Sequence, residues 1–244
     1  MTAGVPRDSK ARVPREFKAG VPPDKLRVVI LISGRGSNMR TIAELAAKGE
    51  LPIVVSAVVS DKADAAGLAT AAALGIPTRT LSPQAFADRA AYDTALAALV
   101  AEYQPELIVL AGFMRILTPN FIGPFADRIL NIHPSLLPKY RGLHTHQRAL
   151  DAGDDCHGVS VHFVTEELDG GPVIVQACVA VTPDDTEASL SARVQRQEHS
   201  IYPQAIDWFA RGRLQLRDDR VWLDGKPLSA PIVVDATQVA ARGS

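Results

Sequence analysis

Three polar side chains in two short motifs have the functional groups needed to transfer an acyl group. Asn131 and His133 lie in the motif Asn-Ile-His-Pro-Ser-Leu-Leu-Pro, and Asp169 lies further along in Leu-Asp-Gly-Gly-Pro. An amide polarises a carbonyl, an imidazole carries a proton, and a carboxylate orients the imidazole. Each motif alone is more often structural, because such side chains cap loop ends and Asp-Gly-Gly-Pro forms turns. Together they predict an acyl-transfer site, provided that the fold brings them close.

The elements that must position these residues follow an α/β pattern. Short apolar runs alternate with helical segments, which favours right-handed βαβ crossovers in a parallel sheet. The pattern predicts strands at residues 26–33, 53–60, 107–110 and 129–132, and helices at residues 39–48, 63–74 and 87–103. Further on, it predicts a β-hairpin from residues 158–164 and 173–181, a helical segment over residues 186–209 interrupted near Tyr202-Pro203, and a terminal hairpin within residues 214–223.

The predicted fold is therefore a Rossmann-like α/β domain, a mostly parallel twisted sheet with helices on both faces, completed by a C-terminal β-hairpin and a long helix. We expect a single domain over residues 25–227. Residues 1–24 mix charges with prolines and predict a disordered extension, and residues 228–244 predict a poorly ordered tail. Ligands of such sheets bind beyond the carboxyl ends of the strands, where Asn131 and His133 fall.

A glycine loop follows the first predicted strand. Gly34-Arg35-Gly36-Ser37-Asn38 places free backbone N–H groups and a helix N-terminus where a phosphate can bind. A third glycine of the dinucleotide fingerprint is missing, and no Gly-Lys-Ser/Thr follows. A nicotinamide cofactor stays a minor alternative, because Asp61 after the second strand could hold a ribose hydroxyl.

Composition excludes several partners. The chain has 26 Lys and Arg against 27 Asp and Glu, so no net field attracts nucleic acid. Its longest apolar run, residues 107–114, is far shorter than the ~20 residues of a membrane helix. The two cysteines, Cys156 and Cys178, predict reduced thiols, and with no secretory signal they favour a cytoplasmic protein.

Six ordered motifs resemble the phosphoribosylglycinamide formyltransferases, the folate-dependent enzymes of purine synthesis. The motifs lie at residues 32–38, 110–117, 131–140, 158–162, 168–172 and 195–199, and the resemblance covers residues 25–227. It implies transfer of a formyl group from 10-formyltetrahydrofolate, as co-substrate and without a metal, to the amine of glycinamide ribonucleotide. It also implies that the N-terminal half binds the ribonucleotide phosphate and the C-terminal half binds folate, in a monomer or homodimer.

The resemblance assigns roles to residues of this chain. Asn131, His133 and Asp169 match the catalytic trio. The expected ribonucleotide contacts are Gly36, Ser37, Asn38, Gln195 and Glu198. The expected folate contacts are Arg89, Met114, Arg115, Ile116, Leu117, Asn131, Thr165, Glu166, Glu167, Leu168 and Asp169.

Two positions depart from the family pattern. Arg35 stands in the glycine loop where a polar uncharged residue is frequent, and Arg141 follows Tyr140 where proline is common. Either could change a loop or add a cation near a phosphate or a glutamate tail. Neither belongs to the catalytic trio, so the expected activity is unchanged.

Other activities are weighed against this one. Methionyl-tRNA formyltransferase and formyltetrahydrofolate deformylase share the core but add a domain, for which we expect too few residues here. The deformylase also has a second histidine where this chain has Pro134. A metal-dependent hydrolase using His144, His146, His157 and His162 lacks a known ligand spacing. A non-catalytic nucleotide-binding module would not need the trio.

Overall fold

The computed structural model describes residues 25–235, and residues 1–24 and 236–244, including the predicted N-terminal extension, lie outside the described residues. The strands are β1 Leu26–Ile32, β2 Ile53–Ser60, β3 Thr78–Thr80, β4 Leu107–Leu110, β5 Ile129–His133, β6 Cys156–Phe163, β7 Val173–Ala180, β8 Leu214–Arg217, β9 Arg220–Leu223, β10 Lys226–Pro227 and β11 Ile232–Asp235. The helices are α1 Ser37–Ala47, α2 Ala66–Ala73, α3 Arg89–Ala101, α4 Pro119–Ile122, α5 Thr145–Asp151 and α6 Glu187–Ala210.

The main sheet has the order β11-β7-β6-β5-β4-β1-β2-β3. Its strands pair in parallel from β3 to β5, whereas β6 is antiparallel to both β5 and β7. A separate three-stranded antiparallel sheet contains β8, β9 and β10. These pairings confirm the predicted mostly parallel α/β fold with its C-terminal hairpin and long helix.

Helices cover the sheet on both faces because alternate residues of each strand are buried on opposite sides. In β1, Val28, Ile30 and Ile32 pack in a core that includes residues of α1 and α6. Val29 and Leu31 pack in a second core that includes residues of α3 and α4. A strand covered on both faces reads as a continuous apolar run, which is the pattern that predicted it.

The predicted β-hairpin is confirmed as the antiparallel pair of β6 and β7. Cys156 pairs with Ala180 and Gly158 with Cys178, so the two cysteines lie diagonally across the pair. They are joined by a disulfide, with Cα atoms 6.3 Å apart. The expectation of reduced thiols was wrong, because sequence spacing does not reveal the register that brings two strands' side chains together.

The C-terminal part differs from the prediction at two places. Helix α6 continues through Pro203, where we expected an interruption. The preceding Tyr202 is fully buried and its hydroxyl lies 2.9 Å from the carbonyl of Leu130, which fixes the helix on the sheet despite the missing N–H of proline. Part of the expected tail is also ordered, because Ile232–Asp235 pair in parallel with β7. Within residues 25–235, no helix is sufficiently long and apolar to cross a bilayer.

Gly158 offers a test of the β6–β7 pair. A Cβ at this position would lie 2.0 Å from the carbonyl oxygen of Ala177 in the neighbouring strand. Because backbone cannot yield as a flexible side chain does, Gly158→Ala should lower the free energy of unfolding by about 2 kcal/mol or more in urea denaturation. Gly123→Ala is the matched control, since a Cβ there meets nothing within 4 Å. Equal stability of the two variants would contradict this packing.

Candidate active site

Two of the three predicted catalytic residues lie near the carboxyl end of β5. Asn131 and His133 are two positions apart on one strand, so their side chains point to the same face. The antiparallel neighbour β6 places His162 opposite Asn131 and Ser160 opposite His133. The carboxyl end of β5 and the middle of β6 therefore supply one polar cluster beside the sheet edge.

Asp169 reaches this cluster from the loop that joins β6 to β7. Its Oδ2 lies 3.4 Å from Nδ1 of His133, and its Oδ1 lies 3.8 Å from Nε2 of His162. The backbone N–H of Gly142 donates to the same Oδ2 at 3.0 Å. The Asp169 side chain is only 9% exposed, so the Gly142 N–H and a protonated His133 replace part of the water that a carboxylate needs. The structure thus brings Asn131, His133 and Asp169 together, as the motifs required.

The orientation of His133 is fixed from the opposite side of its ring. Its Nε2 lies 2.9 Å from the carbonyl oxygen of Tyr140. Because a carbonyl can only accept, this contact places a hydrogen on Nε2. The other ring nitrogen, Nδ1, is left to face Asp169. In the imidazolium form both N–H groups therefore have an acceptor, one of which is the carboxylate.

His162 is a site residue that the sequence reasoning did not assign to the catalytic group. Its Nδ1 donates to the carbonyl of Phe163 at 2.8 Å, so its Nε2 accepts the hydrogen bond of 3.2 Å from the Asn131 amide. Burial lowers the pKa of His162 to about 4, which keeps the ring neutral and able to accept. Only the strand register could have revealed this neighbour of Asn131.

The predicted ribonucleotide contacts also come together, between α1 and α6. Gly36 is in the left-handed region, with φ 72°, and begins α1, and a Cβ there would lie 3.1 Å from the backbone of Gly67. Asn38 donates to Glu198 at 2.7 Å. The second link between the helices is the hydrogen bond from Gln195 Nε2 to Ser37 Oγ, at 3.2 Å.

The acidic side chain at this second site, Glu198, has a shifted pKa. Burial raises the pKa of Glu198 above its ordinary value, and the hydrogen bond from Asn38 opposes that rise. The backbone N–H groups at the start of α1, with the side chains of Ser37 and Gln195, form a donor-rich surface. A dianionic phosphate is well matched to such a helix N-terminus.

A cleft that is open to solvent adjoins the catalytic cluster. Nine of the predicted folate contacts line it, namely Arg115, Ile116, Leu117, Asn131, Thr165, Glu166, Glu167, Leu168 and Asp169. Five further residues that were not among the predicted folate contacts complete the lining, namely Leu110, Phe113, Ile122, His162 and Val164. Arg89, at the start of α3, and the 67% exposed Met114 are not among its lining residues. A lining that combines apolar side chains with polar groups suits a heterocycle that needs both packing and hydrogen bonds.

The histidines of the metal alternative are arranged differently. His146 Nδ1 and His157 Nε2 lie 3.0 Å apart in a hydrogen bond, while His162 belongs to the Asn131 cluster and His144 is exposed. Among residues 25–235, no three or more His, Cys, Asp or Glu side chains form a group that could hold a metal ion.

Comparison with known proteins identifies the family. The family model described as formyl transferase matches residues 26–206. The chain belongs to the formyl transferase family. Its matched region contains β1 through most of α6, and so both the glycine loop and the Asn131, His133 and Asp169 cluster.

Individual relatives share most of their length with this formyl transferase. It is 55% identical over 203 residues to phosphoribosylglycinamide formyltransferase of Escherichia coli K12, covering 83% of this chain and 96% of the relative. The Haemophilus influenzae enzyme of the same name is 47% identical over 202 residues, covering 83% and 95%. The solved phosphoribosylglycinamide formyltransferase of Coxiella burnetii superposes with a TM-score of 0.82 at 48% identity, covering 86% of this chain and 99% of that one.

Two buried histidines of β6 predict an acid-labile fold. Burial lowers the pKa of His157, as of His162, from the ordinary 6.5 to about 4. Between these values the unfolded chain binds protons that the folded protein does not. The free energy of unfolding should therefore fall as the pH drops from 6.5 to 4, by up to about 1.4 kcal/mol per pH unit for each ring.

The measurement is urea denaturation at several pH values between 4 and 7.5. His157→Gln removes one titrating ring and should reduce the slope of stability against pH relative to the unsubstituted protein. The difference in slope is the readout, because the substitution also changes packing at all pH values. Identical slopes would show that His157 is not held neutral by burial.

Proposed function

We propose that this chain transfers a formyl group from 10-formyltetrahydrofolate to the amine of N1-(5-phospho-D-ribosyl)glycinamide, a step of de novo purine synthesis. The observation that carries the proposal is the convergence of Asn131, His133 and Asp169 beside a cleft that is lined by both apolar and polar side chains. The chain is 55% identical to the phosphoribosylglycinamide formyltransferase of Escherichia coli K12 over nearly the whole length of that enzyme, which supports the same substrates.

The ribonucleotide binds with its phosphate at the start of α1. Gly36, Ser37 and Asn38 offer backbone and side-chain donors there, and Gln195 approaches from α6. Glu198 accepts from Asn38 at 2.7 Å and accounts for one of that residue's two amide hydrogens. The glycinamide end of the substrate then extends toward β5, where its amine meets the formyl carbon.

The folate donor occupies the cleft between the loop after β4 and the loop before β7. Residues Arg115, Ile116 and Leu117 form one wall, and residues 164–169 form the opposite wall. We keep Arg89 and Met114 as further folate contacts, reached by the part of the donor that extends beyond the cleft. We keep the expected division of the domain, residues 25–227, into a phosphate-binding N-terminal half and a folate-binding C-terminal half as part of the proposal, with Gln195 and Glu198 of α6 completing the phosphate site.

The reaction begins when the lone pair of the amine attacks the formyl carbon. The carbonyl oxygen becomes an oxyanion, which accepts the second amide hydrogen of Asn131 and is stabilised by the positive charge of a protonated His133. Asp169 stabilises the imidazolium by its negative charge at 3.4 Å. The bond from the formyl carbon to the folate nitrogen then breaks. A proton passes from the attacking nitrogen to the leaving nitrogen, assisted by Asp169 through an ordered water.

Orientation of these groups comes from contacts that are already present in the protein. The neutral ring of His162 accepts one hydrogen of the Asn131 amide, which directs the amide nitrogen toward the site. The Tyr140 carbonyl holds Nε2 of His133 so that Nδ1 faces the cleft side. Preorganised donors are effective because they need no rearrangement when charge develops.

The setting of this activity follows from its substrates. Both are small water-soluble molecules, and we propose that the protein acts in the cytoplasm as a monomer or homodimer without nucleic-acid or membrane partners. The near balance of 26 basic and 27 acidic residues agrees with small-molecule substrates rather than a polyanionic macromolecule.

The direct test is to mix the protein with 10-formyltetrahydrofolate and follow the folate absorbance with and without glycinamide ribonucleotide. The proposal predicts loss of the formyl group that depends on the ribonucleotide, with one formylated product per folate released. Loss at the same rate without the acceptor would instead identify a hydrolase that uses water as nucleophile.

Two substitutions test the catalytic roles. His133→Ala removes the imidazolium that stabilises the oxyanion, and Asp169→Asn removes the negative charge beside that imidazolium. Each should lower kcat by about 100-fold or more in the same assay, with little change in the KM of the ribonucleotide. A fold comparison by circular dichroism serves as the control, and a well-folded variant with undiminished kcat would refute the assigned role.

Ser37→Ala tests the phosphate site. A hydrogen bond to a charged group is lost, so the KM for the ribonucleotide should rise about tenfold while the KM for the folate donor stays within twofold. Inorganic phosphate should inhibit the variant less strongly than the unsubstituted protein. Equal increases in both KM values would place Ser37 outside a dedicated phosphate site.

A further inference from the structure

One three-residue stretch of backbone, residues 140–142, contacts both the imidazole and the carboxylate of the catalytic cluster. The Tyr140 carbonyl accepts from His133 Nε2 at 2.9 Å, and the Gly142 N–H donates to Asp169 Oδ2 at 3.0 Å. His133 Nδ1 and Asp169 Oδ2 lie 3.4 Å apart, so the two groups held by this stretch also contact each other. Any shift of this stretch therefore changes the alignment of both groups together. The residue between the two contacts is Arg141.

The backbone of this stretch adopts conformations that need support. Tyr140 has φ 56°, a region that side-chain-bearing residues adopt rarely because Cβ crowds the carbonyl oxygen. The Tyr140 side chain supplies part of the support, since its hydroxyl donates to Asp154 at 2.8 Å and the Arg148 guanidinium lies 5.1 Å from its ring centre. Gly142, with φ 79°, is left-handed without that cost.

Arg141 supplies a second support for residues 140–142, through a contact with the loop that carries Asp169. Its Nη1 forms an ion pair with Glu167 Oε1, two residues before Asp169 in the loop that lines the cleft. The Arg141 carbonyl accepts from Arg148 Nη1 at 2.7 Å, so its own backbone is held as well. The Arg141 side chain is 39% exposed and is not among the residues that line the cleft.

We propose that Arg141 is a positioning residue for formyl transfer, whose ion pair with Glu167 keeps residues 140–142 across the catalytic cluster so that His133 and Asp169 stay aligned. The inference rests on the proposed function and adds a residue to it. Arg141 touches none of the reacting groups and acts only through the Tyr140 carbonyl and the Gly142 N–H.

A second effect of the same pair must be distinguished from positioning. Glu166, Glu167 and Asp169 place three carboxylates along one wall of the cleft, and Arg141 neutralises part of that charge. If neutralisation alone mattered, loss of Arg141 would repel the acidic glutamate end of the folate donor and raise its KM. Positioning instead lowers kcat, because misalignment affects the transition state more than binding.

The test is steady-state kinetics of Arg141→Ala, Arg141→Glu and the charge-reversed double variant with Arg141→Glu and Glu167→Arg. Arg141→Ala should lower kcat about fivefold and leave the donor KM within twofold, and the reversed pair should recover most of the loss that Arg141→Glu alone causes. Arg211→Ala is the matched control, because it removes another exposed arginine–carboxylate pair, with Asp207 at 2.8 Å, away from the site. It should keep the original kcat.

A readout without substrate separates this inference from the proposed function. Hydrogen exchange of the Gly142 amide should be about fivefold faster or more in Arg141→Ala than in the unsubstituted protein, and unchanged in Arg211→Ala. Unchanged exchange together with unchanged kcat, or a loss confined to the donor KM, would overturn the positioning role. If the unsubstituted protein transfers no formyl group, the proposed function fails, and the exchange rates still decide whether Arg141 holds the stretch.

Discussion

The arrangement of the site depends on one nearly buried carboxylate, that of Asp169. A carboxylate that is only 9% exposed is costly unless donors replace its water. The Gly142 N–H supplies a direct hydrogen bond, and the rings of His133 and His162 lie near its two oxygens. Because these groups come from separate parts of the chain, satisfying the carboxylate requires the β5–β6 register, the loop before β7 and the loop after β5 to be correct together.

A few elements of the fold are enough to place these groups together. The parallel strands end at one edge, which places the glycine loop after β1 and the Asn131 and His133 pair of β5 on the same side of the molecule. The antiparallel β6 then adds His162 opposite Asn131. Helix α6 runs back across this face and brings Gln195 and Glu198 to the glycine loop. Phosphate site and catalytic cluster are thus set by the same scaffold.

Much of this was predictable from periodicity and from turn residues. Continuous apolar runs alternating with helical segments predicted the parallel strands, and the Asp169-Gly170-Gly171 turn between two strand-like runs predicted the hairpin of β6 and β7. The family resemblance, carried by the motifs, supplied the substrates and the trio. Nine of its eleven folate positions line the cleft.

The remainder depended on tertiary contacts that no local pattern encodes. The pairing of Cys156 with Cys178 and of His162 with Asn131 follows from strand register. Helix α6 passes Pro203 because the buried Tyr202 anchors it, and Ile232–Asp235 become a strand because β7 offers an open edge. The Tyr140 carbonyl contacts His133 while Tyr140 is in the left-handed region, a conformation that a tyrosine in the sequence does not predict.

The central claim is that His133 and Asp169 work as one unit rather than as two independent groups. The most direct measurement is the single-turnover rate of formyl transfer in the double variant with His133→Ala and Asp169→Asn, compared with each single variant. If the carboxylate acts through the imidazole, its removal costs little once the imidazole is absent, and the double variant should lie within about threefold of the slower single variant. Losses that multiply would contradict the account, because they would show two groups acting separately.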